Sequence, residues 1–144
     1  MDLGRGRWWS RVIWGLTALC VIAVLALAVI LTPSPAGTGT HTQLGMAPCT
    51  VLVLTGYPCP SCGLTTCFAH LVRFQVLDAF RANAAGVLIF LVLVALLPVS
   101  VHAMVRNMPV LSTLVFLKGD TVLALICAVL IIDWVVEILT ILAS

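Results

Sequence analysis

Charged side chains are scarce in this chain, and their scarcity excludes most soluble classes of protein. Only 8% of the 144 residues are charged and 62% are hydrophobic, whereas a soluble domain carries about 25% charged residues. The net charge of +2, without a basic run, argues against a nucleic-acid partner. The mean hydropathy of +1.25 indicates a membrane protein, with the lipid bilayer as its first partner.

Three common catalytic motifs are also missing from the sequence. It contains no nucleotide-binding glycine loop, no zinc-protease helix motif and no serine-nucleophile elbow. Thiols are therefore the only potential nucleophiles whose arrangement in the sequence suggests catalysis. We favour a protein without catalytic activity; if it is an enzyme, we expect a thiol-disulfide oxidoreductase.

Three long apolar runs predict an all-α integral membrane protein with three transmembrane helices. Residues 12–31 carry no charge and match the ~20 residues that cross a bilayer. This run exceeds the ~7–15-residue core of a signal peptide. We predict one membrane domain with a cytoplasmic N-terminus (1–10), first span (12–31), extracytoplasmic loop (32–48), Cys segment with an amphipathic helix (49–84), second span (85–104), cytoplasmic loop (105–120) and third span (121–143).

The orientation follows from basic residues near the first span. Arg5, Arg7 and Arg11 place the N-terminus in the cytoplasm by the positive-inside rule. The Cys segment either returns on the outer side or crosses as a broken helix, and both forms leave equally many basic residues inside. We choose the re-entrant or interfacial form, because residues 51–54 are too short to span and the break after them would leave backbone groups unpaired in lipid.

A cluster of cysteines is the chemically unusual part of the chain. Four of the six cysteines lie between Cys49 and Cys67, and two of them form the turn Cys59-Pro60-Ser61-Cys62-Gly63. Pro60 fixes φ and removes an N–H, and Gly63 suits a left-handed turn position. At the start of a short helix, the macrodipole and free N–H groups should lower the pKa of both thiols.

Three uses of these thiols stay open: a structural or redox-active disulfide, a metal site, or neither. If the pair is redox-active, Cys59 and Cys62 are the catalytic residues. As metal ligands for zinc or copper, the candidates are Cys49, which can fold back, Cys59, Cys62 and His70. In a regular helix, however, His70 would lie about 12 Å from Cys62, and Cys67 would point away by about 140°. His41 is a further candidate for a fourth ligand.

Charged residues within or beside the apolar segments form a second candidate site. Asp133 and Glu137 lie four residues apart in the third span, and acidic groups at such depth usually face a partner or water. Arg73, Arg81 and His70 are within reach as partners, and a salt bridge is expected to Arg73 or Arg81. An internal salt bridge is the simpler interpretation, and a proton or cation relay or a docking charge is the functional one.

Several residues together resemble a known family. Residues 55–65 follow the pattern Thr-Gly-x-x-Cys-Pro-x-Cys-Gly-x-Thr, preceded by Cys49 and followed by Asp78-Ala79 and Asn83. Over about residues 49–93 the chain resembles the small bacterial membrane proteins of domain of unknown function 2752. The resemblance implies a bacterial inner membrane location and a single unit formed by Cys49, Cys59 and Cys62, and it implies no activity.

Three functional hypotheses follow. The first is a non-catalytic accessory protein or subunit of a membrane assembly, with a disulfide-capable Cys segment, other membrane subunits as partners and no required cofactor. The second is a membrane thiol-disulfide oxidoreductase that uses Cys59 and Cys62. The third is a zinc- or copper-binding protein that uses Cys49, Cys59, Cys62 and a histidine.

Overall fold

The computed structural model describes residues 3–143, with side chains described for residues 8–115 and 117–143. The predicted cytoplasmic stretch 1–10 therefore falls partly outside the described residues. Within them, every regular element is a helix. The elements are α1 (Leu3–Ile30), a 3₁₀ helix (Thr40–Leu44), α2 (Thr50–Thr55), α3 (Leu64–Leu71), α4 (Val76–Ala82), α5 (Ala84–Arg106), α6 (Val110–Phe116) and α7 (Gly119–Ala143).

Three of these helices are long and apolar enough to cross a membrane: Trp8–Ile30 within α1, Ala84–Arg106 and Gly119–Ala143. A helix of 23 residues rises about 35 Å at ~1.5 Å per residue, enough for a hydrocarbon core of ~30 Å. Most of their apolar side chains are exposed, as lipid-facing residues should be. The predicted all-α, three-span membrane fold is confirmed.

Helices α1 and α5 run antiparallel along their length. At one end, the Trp14 indole N–H donates to the carbonyl oxygen of Met108 over 3.1 Å. At the other end, Ala28 near the end of α1 and Val87 near the start of α5 belong to the same buried cluster. The segment between α1 and α5 therefore begins and ends at the same end of this helix pair. This arrangement confirms the predicted re-entrant or interfacial segment.

The small core of the molecule lies at this same end. Buried Cys67, Phe68 and Ala79 from α3 and α4 pack against Ala28 and Val87. Helices α3 and α4 therefore pack against the neighbouring ends of the first two spans.

The stretch 105–120, interpreted from sequence as a loop, contains a short helix, α6. Pro109 begins it, and its carbonyl oxygen accepts the backbone N–H and the hydroxyl of Thr113. Helix α6 packs against α7 and α1 at the end opposite to the Cys segment. The two ends of the molecule are thus built differently: a short connection at one, the Cys segment at the other.

Candidate functional site

Helix α2 and the glycine turn that ends it lie between Cys49 and the later cysteines, which meet in the structure. Cys49 precedes the first residue of α2, and its carbonyl oxygen accepts the N–H of Val53 over 3.0 Å. Gly56 ends the helix in the left-handed conformation, with φ of 75°. The Cys turn then closes through a hydrogen bond from the N–H of Cys62 to the carbonyl oxygen of Cys59, 2.9 Å long.

Three sulfur atoms meet at this point. The Sγ atom of Cys59 lies 3.5 Å from that of Cys49 and 3.2 Å from that of Cys62. All three Sγ atoms lie within 4.8 Å of one another, and all three side chains are half-buried. The predicted return of Cys49 to the turn is thus observed, and we call these residues the Cys triad.

Polar groups around the Cys triad point at its sulfur atoms. The backbone N–H of Cys59 donates to the Sγ atom of Cys62 over 3.3 Å. The hydroxyl of Ser61 lies 3.3 Å from the Sγ atom of Cys59. An N–H directed at a thiolate is the feature of a metal knuckle that the Cys-Pro-x-Cys-Gly pattern suggests.

The two thiols of the turn differ in acidity. Burial alone would raise the pKa of Cys59, but hydrogen bonds from the Ser61 hydroxyl, Cys62, Cys49 and the Ser61 backbone lower it to about 7. Burial and the adjacent Cys59 raise the pKa of Cys62 to about 12. The expectation that both pKa values are lowered is therefore wrong for Cys62, because burial, and after it the neighbouring Cys59, disfavour its charged form.

His70 and Cys67 lie apart from the Cys triad. The Nδ1 atom of His70 forms a 2.7 Å hydrogen bond with Oε1 of Gln75. Cys67 is fully buried in the core, where burial and the nearby Asp133 raise its pKa to about 12. Of the described His, Cys, Asp and Glu residues, the ligand group comprises the Cys triad alone.

Asn83 clamps the Cys turn onto the second span. Its Nδ2 atom donates to the carbonyl oxygens of Pro60 and Cys62 over 3.3 and 3.0 Å. Its Oδ1 atom accepts the N–H of Gly86 over 2.6 Å and so caps α5. Sequence reasoning used Asn83 only as part of the family pattern; an Asn directly before a long apolar run is also an N-cap signal.

A second clamp comes from the third span. The indole N–H of Trp134 donates to the carbonyl oxygen of Pro58 over 2.8 Å, joining α7 to the residue before the Cys turn. Sequence reasoning missed this contact, since nothing in the local pattern around Trp134 indicates which distant carbonyl it reaches.

The structure gives both arginines partners other than Asp133 and Glu137. The Arg73 guanidinium donates to the carbonyl oxygens of Ala28, Val29 and Ala69 over 3.3, 3.0 and 2.7 Å. Arg73 thereby occupies carbonyls in the last turn of α1, which lack partners within the helix.

Arg81 forms an exposed ion pair of 3.3 Å with Asp78, three residues earlier in α4. Asp133 lies close enough to Cys67 to act on its thiol electrostatically. The expected salt bridges to the third span are thus replaced by contacts with nearer groups, and the functional role of Asp133 and Glu137 stays a prediction.

A cavity of about 410 Å³ opens beside the Cys triad. All three cysteines line it together with His41 and Met46, which come from the loop that follows the first span. The triad is therefore accessible to a small ion or molecule from one side, and two further potential ligand side chains border the same space.

The segment that forms this site matches a known family. Residues 49–97 match the family described as Protein of unknown function (DUF2752), which confirms the resemblance predicted from the motif. The matched residues run from Cys49 through the turn and the Asn83 clamp into α5. No curated protein and no solved structure matches the chain.

Proposed function

We propose that this multi-pass membrane protein is non-catalytic and binds one zinc or copper(I) ion through Cys49, Cys59 and Cys62. The single observation that carries the proposal is the mutual approach of three Sγ atoms within 4.8 Å. A disulfide requires two sulfur atoms, whereas a third at the same point is what a thiolate metal site requires.

The spacing of the sulfur atoms suits these ions. A Zn–S bond of about 2.3 Å separates the sulfurs of a tetrahedral site by roughly 3.8 Å. The observed separations of 3.2 and 3.5 Å approach this value to within about half an ångström. A bound cation would also remove the repulsion that opposes a second thiolate at Cys62, because it neutralises adjacent negative charges.

The metal content of the purified protein tests the proposal. Protein purified in detergent without chelator should carry close to one metal ion per chain. Serine variants at Cys49, Cys59 and Cys62 should lose it, while Cys20→Ser and Cys127→Ser, which change exposed cysteines in the spans, should keep it. Metal-free protein that also fails to take up zinc or copper(I) under reducing conditions would refute the proposal.

Thiol-disulfide exchange is the second candidate, favoured by the position of Cys59 between two sulfur atoms at 3.5 and 3.2 Å. The Cys59 thiolate would attack a disulfide of a partner protein and form a mixed disulfide, and the displaced partner sulfur would leave and take a proton. Cys49 or Cys62 would then attack the Cys59 sulfur. The partner would leave as a dithiol and this chain would retain a disulfide, so that two electrons pass to the partner.

A trapped mixed disulfide would identify this second activity. The double variant Cys49→Ser, Cys62→Ser removes both resolving thiols and should accumulate a covalent partner complex that dithiothreitol releases. The matched variant Cys59→Ser should accumulate none. If neither variant forms such a complex and wild-type protein does not exchange disulfides in vitro, this candidate is eliminated.

The cellular setting forms part of the proposal. We place the protein in a bacterial inner membrane, with the N-terminus in the cytoplasm and the Cys triad at the outer face. Arg5, Arg7 and Arg11 before the first span support this orientation. An accessory role in a membrane assembly fits a chain whose 25-residue third span has no buried residue and can face lipid or another subunit.

A further inference from the structure

His41 borders the same cavity as the Cys triad, on the side formed by the loop after the first span. This cavity is lined by all three cysteines, so a donor inside it lies near the Cys triad. His41 belongs to the 3₁₀ helix Thr40–Leu44. The loop and the Cys turn thus both line one space.

The backbone that carries His41 is fixed to the helix that follows the Cys turn. The hydroxyls of Thr40 and Thr66 lie 2.7 Å apart, and both side chains are fully buried. The Thr40 hydroxyl also accepts the backbone N–H of Ser34 over 3.0 Å. The residue next to His41 is therefore anchored to α3, which begins directly after Gly63.

The imidazole itself is held only weakly. Its Nε2 atom lies 3.3 Å from the carbonyl oxygen of Ala47, a long distance for such a hydrogen bond. To reach an ion at the Cys triad, the ring would give up only this long contact, and the Thr40 anchor would stay in place. An anchored backbone with a loosely held ring allows His41 to respond to an ion at the Cys triad.

We propose that His41 is the fourth ligand of the metal site and that it makes the site selective for zinc over copper(I). This inference rests on the proposed metal-binding function. Three thiolates and one imidazole form a common tetrahedral zinc site. Soft thiolate ligands bind copper(I) as well as zinc, but a structural zinc site takes four ligands, so a fourth donor beside the three thiolates favours zinc. The loop at residues 37–48 would thus close over the ion that the Cys triad holds.

Two other side chains serve as matched comparisons. Met46 borders the same cavity; its thioether is a soft ligand for copper(I) and is not among the usual zinc ligands, which are Cys, His, Asp and Glu. His70 is bonded to Gln75 and borders a different cavity of about 340 Å³ with Asp78 and Arg81. If His41 is the ligand, changes at Met46 and His70 should leave zinc binding intact.

The experiment combines zinc titration with cobalt(II) substitution of the full chain in detergent. His41→Ala should weaken zinc binding roughly 10- to 100-fold or more, shift the cobalt ligand-field bands and leave copper(I) binding within about threefold. His41→Cys should restore the zinc affinity by supplying a fourth thiolate. His70→Ala and Met46→Leu should resemble the wild type in both titrations.

The results separate this inference from the proposed function. If the Cys-triad serine variants abolish metal binding but His41→Ala leaves the cobalt spectrum and zinc affinity unchanged, the inference is overturned and the metal site stands. If Met46→Leu weakens copper(I) binding while His41→Ala changes nothing, the site is a copper site and the inference is likewise overturned. If no variant affects metal binding, the proposed function itself fails.

Discussion

At the scale of single residues, the Cys triad contains an acidic thiol at Cys59 and, beside it, a Cys62 thiol that resists ionisation. Ser61, Cys62 and Cys49 stabilise the Cys59 thiolate by hydrogen bonding, and its pKa is about 7. Because a second thiolate would lie 3.2 Å away, Cys62 keeps its proton. In metal-free protein, Cys59 should therefore be the thiol that reacts first.

The rate at which Cys59 is alkylated should follow its pKa. Since the thiolate is the nucleophile, the rate should rise about tenfold per pH unit below pH 7 and level off above it. Cys67, buried and with a pKa of about 12, should stay unmodified over the same range. Mass spectrometry of chelator-treated protein after timed exposure to iodoacetamide measures both rates.

Ser61→Ala supplies the control for this prediction. It removes a hydrogen bond that favours the charged form, so the midpoint of the Cys59 profile should move to higher pH. A wild-type midpoint near the ordinary cysteine value of about 8.5 would contradict the pKa argument.

At the scale of elements, the turn that joins the Cys triad to α3 tolerates only glycine. Gly63 has φ of 82° and would place an added Cβ against the carbonyl oxygen of Ala82 at the end of α4. Gly63→Ala should therefore lower the free energy of unfolding by more than the ~1–2 kcal/mol that left-handed strain alone costs, and metal binding should fall with it.

The variant Gly45→Ala measures the cost of left-handed backbone strain without the steric overlap that arises at Gly63. Gly45 has φ of 76°, but no atom lies within 4 Å of the position of its added Cβ, so its cost should stay within about 1–2 kcal/mol. Thermal unfolding in detergent compares the two variants. Equal losses of stability would show that the close approach of α4 to the turn is unimportant.

The third span should control the Cys turn through one hydrogen bond. Trp134→Phe keeps an aromatic ring but removes the N–H that donates to Pro58, a bond worth about 0.5–1.5 kcal/mol. The turn should open more often, so zinc should dissociate faster and Cys59 of metal-free protein should be alkylated faster. Stopped-flow transfer of zinc to a chromogenic chelator measures the first rate.

Trp14→Phe is the matched control for this element. It removes an equivalent indole bond, to Met108, at the opposite end of the spans. It should lower the melting temperature but leave the zinc dissociation rate unchanged. If both variants accelerated zinc dissociation equally, the effect of Trp134→Phe would come from lower global stability and not from the Cys turn.

At the scale of the whole molecule, the loop at Thr42 and the α6–α7 connection should lie on opposite sides of the membrane. The Cys segment leaves and re-enters at one end of the spans, and Lys118 lies beside α6 at the other. A membrane-impermeant maleimide added to intact cells should label Thr42→Cys above the level of the parent protein. Lys118→Cys should gain label only in inverted vesicles.

The reverse labelling pattern would contradict the proposed orientation. Labelling of both positions from the same side would contradict the three-span arrangement itself. The two positions are suitable because both side chains are exposed.

Much of the architecture was already determined by the sequence. Lipid-crossing helices need only length and apolarity, so local composition predicts the spans without knowledge of their neighbours. The short helices beside the Cys turn were also predictable, because Gly63 and Asn83 interrupt an otherwise helical pattern with residues typical of a turn and a cap. The Cys-Pro-x-Cys-Gly motif is also local, and it marked both the site and the family that residues 49–97 match.

Only the tertiary structure decided which groups meet. Cys49 meets Cys59 and Cys62 across α2 and the turn at Gly56. His41 borders the site beside Thr40, whose hydroxyl bonds to that of Thr66. Which carbonyl oxygens accept hydrogen bonds from Arg73 and Trp134 likewise depends on where α1 and the Cys turn lie. These contacts join distant parts of the chain, and their partners depend on packing rather than on local spacing, so the residue types were visible in the sequence while their pairing was not.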